Sequence, residues 1–235
     1  MGHAPAVITA VVATIGTPAL ADDLDPRTTF APDRVLVRAA GEVGADAQAL
    51  SLDGYYDLNA RFRLGITTSS AARYELGAIR GLCVRDCATR FGGLAADAEV
   101  RAGDHVIGRA AVDTTRFAPT AAAIELGFAV HYAEDRWDLL IAPTLRLGIA
   151  RRDLANGDAL SAFARIAARV WERGGVLAET RGAVDVDALR ATPTLGAAGG
   201  VYVQLGSCVL TATFGSSDVS LSRSLFGELA LGWAS

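Results

Sequence analysis

The amino-acid sequence predicts an all-β fold, a closed antiparallel up-and-down β-barrel of about ten strands, with about eight to twelve compatible with the pattern. Apolar and polar residues alternate along most of the chain, which is the period of an extended strand. Each alternating stretch leads through a turn into another, and closing such a sheet removes its exposed edges. No sequence repeat of about 20 to 50 residues is visible, which argues against propellers and solenoids.

The longest clean alternation runs from Leu50 to Ile66. One face carries apolar residues such as Leu52 and Leu64, and the other carries charged residues such as Arg61 and Arg63. Strands in soluble proteins are usually about five or six residues long. A longer strand with one apolar and one charged face suits a wall between lipid and a water-filled lumen.

The same period predicts the remaining strands in order. A proline at position 143 indicates a bulge, and the apolar phase switches at Gly206-Ser207, which indicates a bulge or a turn. The alanine-rich stretch 160–171 is also compatible with a helix, and the segment from Gly81 to Ala98 is irregular. The predicted strands are 35–43, 50–66, 73–79, 99–111, 120–132, 137–149, 160–171, 174–186, 194–214 and 221–233.

Three regions are expected along the chain. Residues 1–21 are read as an export signal, because the apolar run Pro5–Gly16 precedes the cleavage-like Ala19-Leu20-Ala21, although a buried N-terminal helix is the alternative. Residues 22–33 form a polar leading tail, and residues 34–235 form the barrel domain.

Composition excludes several classes of function. The net charge of -4 and the lack of a basic stripe argue against nucleic acid as a partner. No apolar run beyond the first few tens of residues is long enough for a transmembrane helix. Aromatic residues make up 7% of the chain, which is low for two interfacial girdles.

The export signal, the alternating strands and a last strand with Leu229, Leu231 and a terminal Trp233 together resemble the outer-membrane β-barrel proteins of Gram-negative bacteria. The resemblance covers essentially the whole mature chain, from about Arg34 to Trp233. It implies a location in the outer membrane, contact with its lipid and lipopolysaccharide, and insertion by the barrel assembly machinery. It also implies that both chain ends face the periplasm and that the segment around Cys83 lies outside. Oligomeric state is left open.

The charged residues of the polar strand faces are expected to line the lumen of the barrel. Two interpretations remain open: a structural core of ion pairs across the lumen, or a narrow anion-preferring path produced by the excess of arginine. The predicted lumen residues are Arg61, Arg63, Arg73, Glu75, Glu125, His131, Arg146, Arg165, Arg169, Glu179, Arg181 and Glu228.

Cys83 and Cys87 form a C-x3-C pair in a chain that is expected to be exported. A disulfide that pins the loop is the favoured interpretation, since a metal site would need further ligands and a redox site usually has C-x-x-C. Cys208 is left as a single thiol that is buried or faces lipid. No metal or other cofactor is expected, because Walker-type, Gly-x-Gly and metal-spaced histidine motifs are missing.

The predicted function is that of an integral outer-membrane barrel with a structural, surface-interaction or minor-pore role. One alternative is an exported soluble barrel that binds a small apolar ligand, and it differs in hiding the apolar strand faces. A second alternative is a barrel-borne hydrolase built on His131 with Glu125 on the same strand face. No serine or threonine stands out as its nucleophile, so the protein is not expected to be an enzyme.

Overall fold

The computed structural model describes residues 28–44, 48–67, 82–85, 93–115, 122–149, 158–186, 193–216 and 225–235. Within these residues, thirteen strands form a single antiparallel sheet. No helix among them is long and apolar enough to cross a membrane. The strands are β1 (Val35–Gly44), β2 (Gln48–Asp57), β3 (Phe62–Thr67), β4 (Leu82–Arg85), β5 (Gly93–Ala102), β6 (Val106–Thr115), β7 (Ala122–Glu134), β8 (Trp137–Gly148), β9 (Ala159–Trp171), β10 (Gly174–Asp185), β11 (Thr194–Leu205), β12 (Cys208–Ser216) and β13 (Leu225–Ala234).

The sheet closes on itself because β1 pairs with the last strand as well as with β2. Leu36 lies opposite Ala234 of β13 and opposite Tyr55 of β2. Twelve of the described strands form the ring, in the order β1-β13-β12-β11-β10-β9-β8-β7-β6-β5-β3-β2. The short β4 pairs with the first residues of β2, beyond the part of β2 that pairs with β3. The predicted closed antiparallel barrel is confirmed, with twelve strands in place of about ten.

The higher strand number arises where a predicted strand is in fact a hairpin. The stretch from Leu50 to Ile66 turns after Asp57, and the side-chain oxygen of Asn59 accepts hydrogen bonds from the backbone N–H groups of Arg61 (2.8 Å) and Phe62 (3.0 Å). This local bond is typical of asparagine in turns. The stretch 99–111 turns at Gly103, whose φ of 83° is readily adopted by glycine. Gly206, with a φ of 62°, makes the third such turn, between β11 and β12.

The bulge predicted at Pro143 is not observed, whereas the strand predicted over 160–171 is confirmed and its helical alternative is excluded. The pairing of β7 with β8 keeps the same register on both sides of Pro143, from Gly127 opposite Thr144 to Val130 opposite Ile141, so no extra residue is inserted there. A register shift occurs instead at Gly174/Gly175 in the pairing of β10 with β9. The alanine-rich stretch is the strand β9, because its inward and outward residues alternate and both of its neighbours pair with it.

The two ends of the barrel differ in the length of their connections. The end that carries Val35 and Ala234, here called the terminal end, has short turns at 58–61, 103–105, 135–136, 172–173 and 206–207. The strands are joined at the opposite end by residues 45–47, 68–92 (which include β4), 116–121, 149–158, 186–193 and 217–224. Short turns at one end and longer connections at the other are typical of transmembrane barrels.

Candidate functional site: the barrel lumen

The outward-facing side chains of the described strands are predominantly apolar and exposed. Phe214 exposes 65%, Val170 64% and Ile66 60% of their surface. Apolar surface of this extent is stable only when another apolar phase covers it, and the hydrocarbon of a bilayer does so. Further outward residues of this kind are Val37, Leu52, Leu64, Val100, Val112, Leu126, Ile141, Ile166, Val176, Val201, Leu229 and Leu231. The soluble barrel with an internal apolar ligand is therefore wrong, because the apolar face points outward.

Outward aromatic side chains gather near the terminal end. Tyr56, Phe62, Tyr132, Trp137 and Trp171 lie close to the turns of that end, and each is exposed. Outward residues nearest the opposite end, such as those at positions 66, 149 and 195, are aliphatic. Aromatic rings with polar edges favour the membrane–water interface. Phe128 in the middle of β7 and Phe214 near the opposite end of β12 are also exposed, so the gathering at the terminal end holds for the exposed tyrosine and tryptophan side chains of the described strands.

The inward faces carry the charged residues, and the first cluster lies near the terminal end. Arg63 on β3 is fully buried and forms salt bridges with Asp57 of β2, which is also fully buried, and with Glu99 of β5 (3.3 Å). A buried charge is tolerated only when partners compensate its lost hydration. The guanidinium of Arg63 meets this requirement with two carboxylates and with the backbone carbonyl of Thr29 (2.7 Å).

The segment that precedes β1 enters the lumen at this point. Phe30 is 5% exposed, and its ring lies under the guanidinium of Arg63, 4.1 Å from the ring centre to Cζ. The carbonyl of Thr29 also accepts a hydrogen bond from Nη1 of Arg34 (2.9 Å), and the N–H of Ala31 donates to Oδ2 of Asp57 (3.1 Å). Residues 28–34, here called the N-terminal plug, therefore occupy part of the lumen at the terminal end.

A second cluster joins β5, β6, β7 and β8. Arg109 lies between Asp97 (3.1 Å) and Glu125 (3.6 Å), and Nε of Arg146 lies 3.9 Å from the other oxygen of Glu125. Asp97, Glu125 and Arg146 are buried, whereas the side chain of Arg109 is 21% exposed. Arg109 is therefore the member of this cluster that faces the open part of the lumen.

A third cluster contains His131. Its Nε2 lies 2.8 Å from Oδ2 of Asp138, and Oδ1 of Asp138 lies 3.4 Å from Nη2 of Arg165. Glu125 lies six positions away on the same strand and is held by arginines, so the structure does not bring the predicted acid–base pair together. In the described part of the chain, Asp138 is the residue that the ring of His131 contacts by a hydrogen bond. The arrangement orients the imidazole but presents no nucleophile to it.

The fourth cluster joins residues of β2, β1, β13 and β10. Arg38 of β1 contacts Asp53 (3.4 Å) and Glu228 (3.0 Å), and Arg181 of β10 contacts Glu179 (2.9 Å) and Glu228 (3.8 Å). Glu228 thus links arginines from β1 and β10. The side chain of Arg38 is 26% exposed, so this cluster also borders open space.

That open space is a cavity of about 270 Å³ inside the barrel. Its wall includes Thr28 of the N-terminal plug and uncharged residues such as Phe163, Thr211 and Thr213. Its volume is slightly below the range of about 300–1,000 Å³ that is usual for pockets of drug-sized ligands. Its charged lining residues are Arg38, Asp53, Glu99, Arg109, Arg165, Glu179, Arg181 and Glu228.

The predicted lumen residues divide into three groups. Nine of them lie on inward strand positions: Arg63, Glu125, His131, Arg146, Arg165, Arg169, Glu179, Arg181 and Glu228. Arg61 does not, because it lies exposed in the turn between β2 and β3. The third group, Arg73 and Glu75, lies outside the described residues. Of the predicted disulfide pair, Cys87 also lies outside them, and only the backbone of Cys83, in β4, is described. Cys208 is half-buried at the start of β12.

Sequence reasoning missed several charged lumen residues for an identifiable reason. Asp97 lies on the part of β5 that falls in the segment with an irregular pattern, and Glu99 and Arg109 lie on β5 and β6, within the single strand that the pattern predicts over 99–111. Alternation over 94–100 places Asp97 and Glu99 on the face opposite to Leu94 and Val100, and this signal could have found them. Asp53, Asp57 and Asp138 lie on the predicted polar faces of their strands, Arg38 lies on the first predicted strand, and all four complete the ion pairs. Among the described residues, no group of three or more His, Cys, Asp and Glu could hold a metal ion.

Comparison with known proteins gives a likeness in structure alone. No family model and no curated protein matches the sequence. The structure resembles the KdgM porin with a TM-score of 0.58 at 7% identity, covering 84% of this chain and 98% of the porin. It resembles the NanC porin with a TM-score of 0.52 at 9% identity, covering 86% of this chain and 98% of that porin. The chain thus has the fold of the outer-membrane β-barrel proteins, and its apolar exterior is a surface of the kind that lipid covers.

Proposed function

We propose that the protein is a minor pore that lets small polar solutes cross the outer membrane. The observation that carries the proposal is the cavity of about 270 Å³, which lies in the lumen and whose wall combines charged and hydroxyl side chains with apolar ones. A barrel that served only as a membrane anchor would not need open space bordered by charged side chains in its interior. The two porins to which the fold is similar support the same role.

The ion pairs suit a narrow pore. They fix charged side chains against the wall, so that the lumen keeps its shape, and the side chains of Arg38 and Arg109 still expose 26% and 21% of their surface. The N-terminal plug restricts the terminal end, because Phe30 and Thr28 are buried within the barrel. Small conductance is therefore expected.

The test is conductance in planar lipid bilayers, preceded by a gel in which the folded barrel changes mobility on boiling. Ala142 lines the cavity from β8, whereas Ala164 lies on the outward face of β9. Ala142→Trp should lower the conductance, and Ala164→Trp should leave it unchanged. Folded protein that gives no conductance would contradict the pore.

The second candidate is a structural or surface-interaction barrel without transport. The observation that favours it is the extent to which buried ion pairs and the N-terminal plug fill the lumen. This role predicts a folded barrel whose gel mobility changes on boiling but which gives no conductance. Loss of the protein should then weaken the outer membrane. For either role we propose outer-membrane lipid and lipopolysaccharide as the partners of the apolar exterior and the barrel assembly machinery as the partner during insertion.

A further inference from the structure

The charges of the lumen are separated across its diameter. The arc formed by β13, β1, β2, β3 and β5 is here called the acidic wall. Its inward carboxylates outnumber its inward arginines: Glu42, Asp53, Asp57, Asp97, Glu99 and Glu228 stand against Arg38, Arg63 and, at the end of β5, Arg101, together with Arg34 just before β1.

The arc from β6 to β10 is the basic wall. In it the balance is reversed: Arg109, Arg146, Arg165, Arg169 and Arg181 stand against Glu125, Asp138 and Glu179. The two walls face each other, because β2 and β9, near the middle of each arc, are equally far apart in both directions around the ring. Between the walls, β11 and β12 contribute uncharged residues such as Tyr202 and Thr213 to the lumen.

The cavity lies between these walls. From the acidic wall it is bordered by three carboxylates and one arginine, and from the basic wall by three arginines and one carboxylate: Asp53, Glu99, Glu228 and Arg38 on one side, and Arg109, Arg165, Arg181 and Glu179 on the other. Charges that line a narrow space with low-dielectric walls focus their field into that space. A solute in the cavity therefore experiences a field directed across the barrel from the basic wall to the acidic wall.

This field discriminates between classes of small solute. An anion is attracted by one wall and repelled by the other, and the same holds for a cation, so neither gains much from a lumen in which the two signs nearly balance. A zwitterion can place its carboxylate toward the arginines and its ammonium toward the carboxylates, and it gains from both walls. A neutral solute of equal size gains little from either.

We propose that the lumen selects small zwitterionic solutes of the amino-acid class, an inference that rests on the proposed pore function. The arginines of β9 and β10 receive the carboxylate, and the carboxylates of β2, β5 and β13 receive the ammonium group. The size of the cavity limits the class to small members.

The experiment measures uptake of four solutes of nearly equal size into liposomes that contain the folded full chain. The solutes are alanine (zwitterion), lactate (anion), alaninamide (cation) and lactamide (neutral). Alanine should enter fastest, by about tenfold over lactamide, at the lower end of the effect expected from field focusing. The Glu99→Gln/Arg165→Gln variant removes one charge from each wall and leaves the net charge unchanged, and it should reduce the preference for alanine.

The control is Glu125→Gln/Arg146→Gln, which removes an ion pair of the basic wall that does not border the cavity and leaves the difference between the walls unchanged. This variant should keep the preference. Equal uptake of all four solutes, or fastest uptake of lactate or alaninamide, would overturn the inference and leave the pore standing. No uptake of any solute by folded protein would overturn the pore function itself, and the inference with it.

Discussion

Truncation of Phe30 tests whether the N-terminal plug closes the terminal end of the pore. The ring is 5% exposed and lies 4.1 Å from the guanidinium carbon of Arg63. Burial of a phenylalanine side chain is worth about 1.5–3 kcal/mol, and a cation–π contact adds about 0.5–2 kcal/mol. Phe30→Ala should therefore weaken the docking of the plug by roughly 2–5 kcal/mol, which shifts its docking equilibrium by roughly 30- to 5,000-fold.

The hydrogen bonds of Thr29 and Ala31 remain in this variant, so the plug is weakened rather than deleted. Single-channel recordings should show higher mean conductance and more frequent switching between levels. The barrel itself should keep its heat-modifiable mobility, because no strand contact is lost. Phe62→Ala is the matched control: it removes the same side chain at the same end from the outward face, where the ring is 51% exposed. Conductance of the folded Phe30→Ala protein equal to that of the wild type would refute closure by the plug.

Three further changes probe the wall of the barrel. Arg63→Ala leaves the buried carboxylate of Asp57 without its partner and should destabilise the barrel by about 3–5 kcal/mol, so that its gel mobility changes after heating at a lower temperature. The exposed control Arg61→Ala should change stability by no more than about 0.5 kcal/mol. Equal changes in the two variants would contradict the burial of Arg63. A Cβ at Gly65 would overlap the carboxylate of Asp97 and the ring of Tyr55, so Gly65→Ala should cost about 1–3 kcal/mol in denaturant titrations. Gly54→Ala, with no atom within 4 Å, is its control, and an equal loss there would disprove the steric reason. Ile141→Arg places a charge in lipid and should cost about 2–4 kcal/mol, measured as less folded protein in outer membranes; normal yield would argue against a lipid-facing position.

The alternation of residue types predicted the faces better than the ends of the strands. The side-chain period of two places Arg63, Glu125 and Arg181 inward whether or not a neighbouring turn is recognised. Strand number depends instead on turns, and a turn whose paired residues are an even number of positions apart, such as Asp57 and Arg63, leaves the phase of the alternation intact, whereas the pair Leu205 and Cys208, three positions apart, shifts it. For this reason the hairpin of β2 and β3 looks in the sequence like one long strand. The turn at 206–207 was visible because it shifts the phase.

The pairing of charges within the lumen could not be predicted in the same way. Neighbouring strands follow from the meander, but which residues lie side by side depends on the register, and the register depends on turns of uncertain length. His131 illustrates the consequence. On its own strand Glu125 looks like its partner, yet the two-residue turn after Glu134 brings Asp138 of β8 close to the imidazole, at 2.8 Å between Nε2 and Oδ2.

The same limit explains why the role of the arginines changes between sequence and structure. In sequence, the arginines of the polar faces look like an excess that would favour anions. In the described barrel they are matched by carboxylates, several of which lie on strands that the sequence did not resolve, such as Asp97 and Glu99. The feature that distinguishes the lumen is therefore the separation of negative and positive side chains between the acidic wall and the basic wall. The two walls face each other only because the sheet closes. A pore with this arrangement discriminates by the distribution of charge on a solute more than by its net charge.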